Sequence, residues 1–179
     1  MVTKAINLII INIILVTASS LVMAETTLYT DGNVPNAEEM ADILLDNNQP
    51  RVKTRGLVFG AVEKKDPKSF GLPIKFDFNS DDLNQSSFPY LKQLGVMLKL
   101  EKMADQNIMI VGHTDASGEE TYNLFLSKKR AEAVKSFLVS NYQIDPVRLK
   151  IMGKGELEIL PGKPSNSSIN RRVEFFRIP

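Results

Sequence analysis

The chain has 179 residues, 43% hydrophobic and 24% charged, a composition that can bury the core of one domain. Its 22 Lys and Arg nearly balance its 21 Asp and Glu, and no long basic run is present, so nucleic acid is not an expected partner. Because cysteine is absent and His113 is the single histidine, disulfides, thiolate metal sites and multi-histidine metal centres are excluded, and no cofactor is expected.

The N-terminus has the pattern of an export signal. Lys4 precedes an apolar run over residues 5–16, and Val22 and Ala24 form a small-residue cleavage pattern. These features predict a signal peptide at residues 1–24 that is removed on export. The alternative is an uncleaved anchor in the inner membrane formed by residues 5–24, because about 20 apolar residues can span a bilayer.

Residues 25–69 are predicted to form an N-terminal extension. The segment from 25 to 36 is polar and contains Gly and Pro, which indicates an extended lead-in without packing. Asn36 and Glu39 have the spacing of a reciprocal helix cap, and apolar residues recur at helical spacing as far as Leu45. A further strand is expected within residues 51–61.

Residues 70–179 are predicted to form a mixed α/β domain. Leu72, Ile74, Phe76 and Phe78 alternate with polar residues and predict a strand, and Ser117 with Glu120 predicts a capped helix start. The remaining elements expected are a helix at 89–103, a strand at 107–111, a helix to about 142, and strands at 149–152 and 171–178. The order β-α-β-α-β-β predicts a four-stranded sheet with the helices on one face.

A family resemblance extends from residue 76 to residue 175. Its most specific part is a set of residues that keep every spacing of a family pattern: Thr114-Asp115, Leu126-Ser127, Arg130-Ala131, Val134 and Leu138. The segment resembles the OmpA-like domain of outer-membrane porins, peptidoglycan-associated lipoproteins and flagellar stator proteins. The resemblance implies a β-α-β-α-β-β sandwich that binds peptidoglycan in the periplasm, with association to the outer membrane as a further expectation.

The candidate binding residues centre on Asp115 and Arg130. A carboxylate and a guanidinium in one cleft can bind a zwitterion, such as the free end of a diaminopimelate side chain in a peptidoglycan stem peptide. The resemblance implies this role for both residues and adds Asn79 and Arg171 as secondary candidates. Asn123 shares a helix face with Arg130 and is a candidate amide contact or an ordinary helix residue.

Other interpretations of these residues stay open from the sequence. Asp115 could bond to backbone in a turn, Arg130 could form a surface salt bridge, and Ser117 is expected to be a helix cap rather than a ligand contact. Catalysis is not expected, because Ser127 lacks the Gly-x-Ser-x-Gly frame of an exposed nucleophile. The competing function is an envelope scaffold or docking protein, with residues 25–69 available to an outer-membrane or other envelope protein partner.

Overall fold

The structure, a computed structural model, describes residues 26–29, 34–45, 69–77 and 79–178. The predicted signal peptide at 1–24 and the strand expected within 51–61 lie outside the described residues. Within the described ranges, no helix is long and apolar enough to cross a membrane.

Three α-helices and five strands lie within the described ranges. In chain order they are β1 (Thr26–Leu28), α1 (Ala37–Leu45), β2 (Ser69–Leu72), α2 (Phe88–Lys99), β3 (Asn107–His113), α3 (Glu120–Tyr142), β4 (Leu149–Gly155) and β5 (Val173–Ile178). The strands lie in the order β1-β2-β5-β3-β4. Strand β5 is antiparallel to both of its neighbours, whereas β1 with β2 and β3 with β4 are parallel pairs. The predicted mixed α/β order is confirmed from β2 to β5.

The fifth strand, β1, comes from the segment predicted to be an unpacked lead-in. That prediction was wrong, because Thr26, Thr27 and Leu28 pair in register with Ser69, Phe70 and Gly71 of β2. Strand pairing uses backbone N–H and C=O groups, so a polar segment can form it without an apolar face of its own. Helix α1 also packs on the common core through Met40, Ala41 and Leu44.

One apolar core lies between the helices and one face of the sheet. Alternate strand residues point into it, and each fully buried Leu, Ile or Phe contributes roughly 1.5–3 kcal/mol. The sheet supplies Phe70, Leu72, Ile108, Ile110, Leu149, Val173 and Phe175, and the helices supply Leu91, Leu94, Leu98, Ala131, Val134 and Leu138.

Two glycines let α3 lie directly on the sheet backbone. A Cβ at Gly112 of β3 would overlap the carbonyl oxygen of Ser127, and one at Gly153 of β4 would lie 2.6 Å from the backbone nitrogen of Lys128. This close contact fixes the first half of α3 against the carboxyl ends of β3 and β4, where the candidate residues gather.

Strand β2 ends earlier than the alternating pattern predicts. Pro73 has no N–H to continue the ladder, and the N–H of Ile74 turns back to the carbonyl of Leu72 at 2.9 Å. Phe76 forms only an isolated bridge with Leu83, and Phe78 lies outside the described residues. The chain from Pro73 onward is therefore a loop that reaches across to α3.

The helix starts test two capping predictions. The reciprocal cap of α1 is confirmed, since Asn36 N–H donates to Glu39 Oε2 and Glu39 N–H donates to Asn36 Oδ1, each at 3.0 Å. The prediction that Ser117 caps α3 is wrong, because Gly118, at a φ of 99°, inserts a turn and the helix begins at Glu120.

Helix α2 ends at Lys99, four residues earlier than expected, and a short 3-10 turn follows.

Candidate functional site

The candidate residues lie at one end of the sheet. Strands β3 and β4 end there and β5 begins there, so the loop after β3, the loop before β5 and the first turns of α3 meet. Two backbone hydrogen bonds hold the loop after β3. Thr114 N–H donates to the carbonyl of Gly155 at the end of β4 at 2.8 Å, and Ala116 N–H donates to the carbonyl of Ser165 in the loop before β5 at 3.0 Å. The segment after Pro73 closes the same region from the side of β2.

Asp115 is buried in the loop after β3, with 6% of its surface exposed. Its Oδ2 pairs with Nη1 of Arg171 at 2.5 Å, and its Oδ1 accepts the N–H of Ser117 at 3.2 Å. The backbone bond in a turn, which the sequence leaves open for Asp115, is thus present. The partner of the carboxylate in this structure is Arg171, which the family resemblance gives only as a secondary candidate.

Arg130 is buried in α3, with 8% of its surface exposed. Its Nε donates to the carbonyl of Ser80 at 3.1 Å, and the guanidinium carbon lies 4.9 Å from the centroid of the Phe76 ring. Burial and the nearby charge of Arg171 lower the pKa of Arg130 below its ordinary value, while arginine keeps its charge in proteins. The nearby charge of Asp115 acts against this lowering and raises the pKa of Arg130.

No carboxylate among the described residues approaches the Arg130 guanidinium within 4.0 Å. The ion pairs of the site join Arg171 to Asp115 and Arg172 to Glu174. A buried charge without a counter-ion is costly unless a partner is supplied. The stacked Phe76 ring and the Ser80 carbonyl fix the plane of the guanidinium, which can present its two Nη groups to a carboxylate.

Asn123 braces the loops around Asp115. Its Nδ2 lies within donor distance of the carbonyls of Asp115 (3.3 Å) and Ser117 (3.1 Å) and of Glu156 Oε2 (2.6 Å). The side chain is buried and is engaged by protein atoms. This geometry places Asn123 behind the Asp115 loop, as a positioning residue.

Asn79 lies at the rim of the site. It is exposed, with a left-handed φ of 51°, and its Oδ1 accepts the hydroxyl hydrogen of Tyr122 at 2.7 Å. Helical spacing alone does not separate Tyr122, an exposed residue at the rim, from an ordinary surface residue.

The segment before β5 is organised from within by Asn170. Its side chain accepts the N–H of Leu160 at 3.0 Å and donates to the carbonyls of Pro164 and Ser165 at 2.9 and 3.2 Å. Arg172 adds bonds to the carbonyls of Asn170 and Glu158, each at 3.3 Å. These contacts hold the backbone that presents Arg171 to Asp115.

His113 is buried on the opposite face of the sheet from the helices. Its Nε2 lies 3.7 Å from Glu174, but that carboxylate already accepts Arg172 Nε at 2.6 Å. Burial, with the charges of Arg172 and Lys154, lowers the pKa of His113 to about 3, so the ring is neutral at ordinary pH. The predicted structural role at the strand end fits this placement.

The described residues contain no candidate metal site, and the hydroxyl group of Ser127 is held in structural hydrogen bonds. No group of three or more His, Asp or Glu among these residues could hold a metal ion. Ser127 Oγ donates to the Leu124 carbonyl and accepts the N–H of Gly155, both at 2.9 Å, which ties α3 to β4.

Comparison with known proteins agrees with this architecture. The chain is 33% identical over 105 residues to outer membrane porin F of Pseudomonas aeruginosa, covering 58% of this chain and 29% of that protein. It is 37% identical over 107 residues to the peptidoglycan-associated lipoprotein of Buchnera aphidicola, covering 57% of this chain and 58% of the relative. The chain thus spans less than two thirds of both relatives.

A solved structure supports the same assignment. The peptidoglycan-associated lipoprotein from Burkholderia pseudomallei matches with a TM-score of 0.50 and 29% identity over 59% of this chain and 88% of that one. The sequence pattern of the OmpA family matches residues 75–172, more than half of the chain. These findings, with the β-α-β-α-β-β order from β2 onward, show that the chain belongs to the OmpA family.

Proposed function

We propose that this protein binds peptidoglycan non-covalently in the periplasm, through the diaminopimelate of a stem peptide. The domain at 70–179 carries this binding, after export directed by residues 1–24. The observation that carries the proposal is the buried Arg130 guanidinium, which is oriented by Ser80 and Phe76 and has no carboxylate of the described residues within 4.0 Å. A carboxylate of the ligand supplies that counter-charge.

Asp115 supplies the second half of the recognition. The free end of diaminopimelate carries an ammonium beside its carboxylate. The buried carboxylate of Asp115 can accept hydrogen bonds from that ammonium. In this structure its Oδ2 pairs with Arg171, whose side chain is 49% exposed. Binding therefore exchanges an internal partner for a ligand ammonium, and the exposed Arg171 is free to move toward solvent or toward a second ligand carboxylate.

Similarity to relatives supports the same ligand class. Two of the similar proteins are named peptidoglycan-associated lipoproteins, and the OmpA family match covers the whole site from Phe76 to Arg172. Their names record an association with peptidoglycan. A non-enzymatic role and an association with the outer membrane are accordingly parts of the proposal.

The test is co-sedimentation of the purified protein with cell-wall sacculi. The parent is expected in the pellet, while Asp115→Ala and Arg130→Ala remain largely in the supernatant. Lys128→Ala is the matched control, since Lys128 is an exposed cation on the same helix. A folded parent that stays in the supernatant, or an Arg130→Ala variant that pellets like Lys128→Ala, would contradict the proposal.

A second function is favoured by exposed apolar side chains on α3 and in the loop after β4. Phe125 and Leu157 are 58% and 62% exposed there and offer apolar surface to a protein partner. In this alternative the protein is an envelope scaffold that docks another protein, with residues 25–69 as a further contact. Partner capture by crosslinking that persists in the Asp115→Ala, Arg130→Ala double variant would favour it.

A further inference from the structure

A groove of about 670 Å³ adjoins the two arginines of the proposed site. Arg130 and Arg171 line one part of it, and Leu28 and Tyr29 line another. Sites for drug-sized ligands measure roughly 300–1,000 Å³. The ammonium and carboxylate at the end of one diaminopimelate side chain are a small part of such a ligand, so the groove beside Arg130 has room for more than the carboxylate that this residue is proposed to bind.

The wall formed by Leu28 and Tyr29 belongs to the N-terminal extension. Both residues lie outside the segment that matches the OmpA family, residues 75–172. Their position is fixed by the sheet, because the N–H of Tyr29 donates to the Gly71 carbonyl at 3.0 Å. Leu28 Cδ2 lies against Gly71, only 2.6 Å from where a Cβ would be. Tyr29 is half-buried and packs against the core, so its side chain is an ordered wall.

The strand order places this wall and the proposed site at the same end of the sheet. Leu28 pairs with Gly71, Leu72 pairs with Val173, and Val173 pairs with Gly112. Tyr29 follows Leu28 directly, Arg171 comes two residues before Val173, and Asp115 comes three residues after Gly112. Three strand spacings of about 4.8 Å separate β1 from β3, which gives a span of about 14 Å.

An extended stem peptide fits that span. Four residues of extended chain reach about 13–14 Å. The groove offers guanidinium groups at one end for carboxylates, and Ile74, Leu28 and Tyr29 offer apolar surface for alanine methyl groups. A glycan, rich in hydroxyl groups, would find fewer partners on these apolar side chains.

We infer that the groove binds the alanine-containing part of the stem peptide next to diaminopimelate, with Tyr29 and Leu28 of the N-terminal extension as its far wall. The inference rests on the proposed function and deepens it. It makes strand β1 part of the ligand site, so the extension raises affinity for a peptide beyond what diaminopimelate alone provides.

The absence of tryptophan from the chain allows a direct test. Tyr29→Trp places a single fluorophore in the groove wall, and Val147→Trp places one at the opposite end of the sheet, on a side chain that is 67% exposed. The probes are free diaminopimelate, a diaminopimelate-containing tetrapeptide and the same tetrapeptide carrying its disaccharide. The tetrapeptide is expected to shift the emission of Tyr29→Trp and to leave that of Val147→Trp unchanged.

Calorimetry on Tyr29→Ala gives a second, independent readout. Its affinity for the tetrapeptide is expected to fall about five- to tenfold, as for truncation of an aromatic contact residue, while its affinity for free diaminopimelate stays within about twofold of the parent. Tyr29→Phe, which keeps the ring, is expected to bind like the parent. Circular dichroism on each variant establishes that the fold persists.

The outcomes separate this inference from the proposed function. If the parent binds the tetrapeptide and neither Tyr29→Ala affinity nor Tyr29→Trp emission responds, the inference is wrong and the proposed function stands. A response only to the disaccharide-bearing ligand also overturns it, in favour of a glycan in the groove. If the parent binds none of the three probes, the proposed function fails and the inference fails with it.

Discussion

Lowering the pH from 7.5 to 5 is expected to destabilise this protein through one side chain, His113. Its folded-state pKa is lowered to about 3, because the ring is buried beside Arg172 and Lys154. The ordinary pKa of histidine is about 6.5, so the unfolded chain takes up a proton that the folded chain refuses. The contribution of the neutral His113 ring to the free energy of unfolding is therefore fully present above about pH 6.5 and is lost as the pH falls toward 3.

The magnitude follows from proton linkage. At pH 5 the unfolded state gains about 2 kcal/mol from protonating a histidine of ordinary pKa, whereas the folded state gains almost nothing. For a chain of this size that loss corresponds to about 4–8 °C in Tm. Since His113 is the single histidine, no other imidazole contributes to the slope in this range.

Urea unfolding at a series of pH values measures this effect. The parent is expected to lose about 2 kcal/mol between pH 7.5 and 5, and His113→Gln is expected to show a nearly flat profile there. An NMR titration of the single imidazole in the parent, expected to stay neutral down to pH 5, covers the case in which the variant does not fold. A ring that titrates near pH 6.5 in the folded protein would refute the reasoning.

Three further substitutions test the packing of α3 and the division of work in the site. Gly112→Ala is expected to destabilise the fold by about 1–3 kcal/mol in denaturant unfolding, because its Cβ overlaps the Ser127 carbonyl and the backbone must shift; a neutral effect would disprove the close contact. Arg130→Lys is expected to weaken binding of a diaminopimelate peptide in calorimetry by about 2 kcal/mol or more, since a lysine keeps the charge and loses the planar fork. Parent-like binding would show that guanidinium geometry is irrelevant. Arg171→Ala is expected to cost about 1 kcal/mol or less in the same assay, because its side chain is 49% exposed and its bond to Asp115 must break when the ligand ammonium binds. A loss as large as that of Arg130→Ala would reverse the proposed ranking.

The fold was predictable where periodicity and packing agree. The apolar runs of β3 and the stripe of α3 follow directly from burial on the core, and the Asn36 cap of α1 has a local hydrogen-bonding cause. Strand β1 could not be predicted, because Thr26 to Leu28 join the sheet through backbone pairing that leaves no side-chain pattern. The early end of β2 had a local signal in Pro73, which the regular alternation from Leu72 to Phe78 outweighed.

For the candidate site residues, a shared helix face was predictable and the hydrogen-bond partners were not. Helical spacing places Asn123, Ser127 and Arg130 on one face of α3, where the structure has all three buried. Sequence spacing does not tell which partner each polar group selects. Asp115 pairs with Arg171 across 56 positions, and Arg130 reaches Ser80 across 50. Such contacts depend on the tertiary arrangement of three loops.

The most direct test of the proposed zwitterion recognition compares two stem peptides that differ at one residue. Calorimetry measures the affinity of the purified protein for a diaminopimelate peptide and for the same peptide with lysine in its place. This exchange removes only the ligand carboxylate that Arg130 is proposed to bind. The lysine peptide is expected to bind at least about thirtyfold more weakly, the equivalent of about 2 kcal/mol, because the buried guanidinium loses its counter-charge. Equal affinity for the two peptides would contradict recognition of the diaminopimelate zwitterion by Asp115 and Arg130.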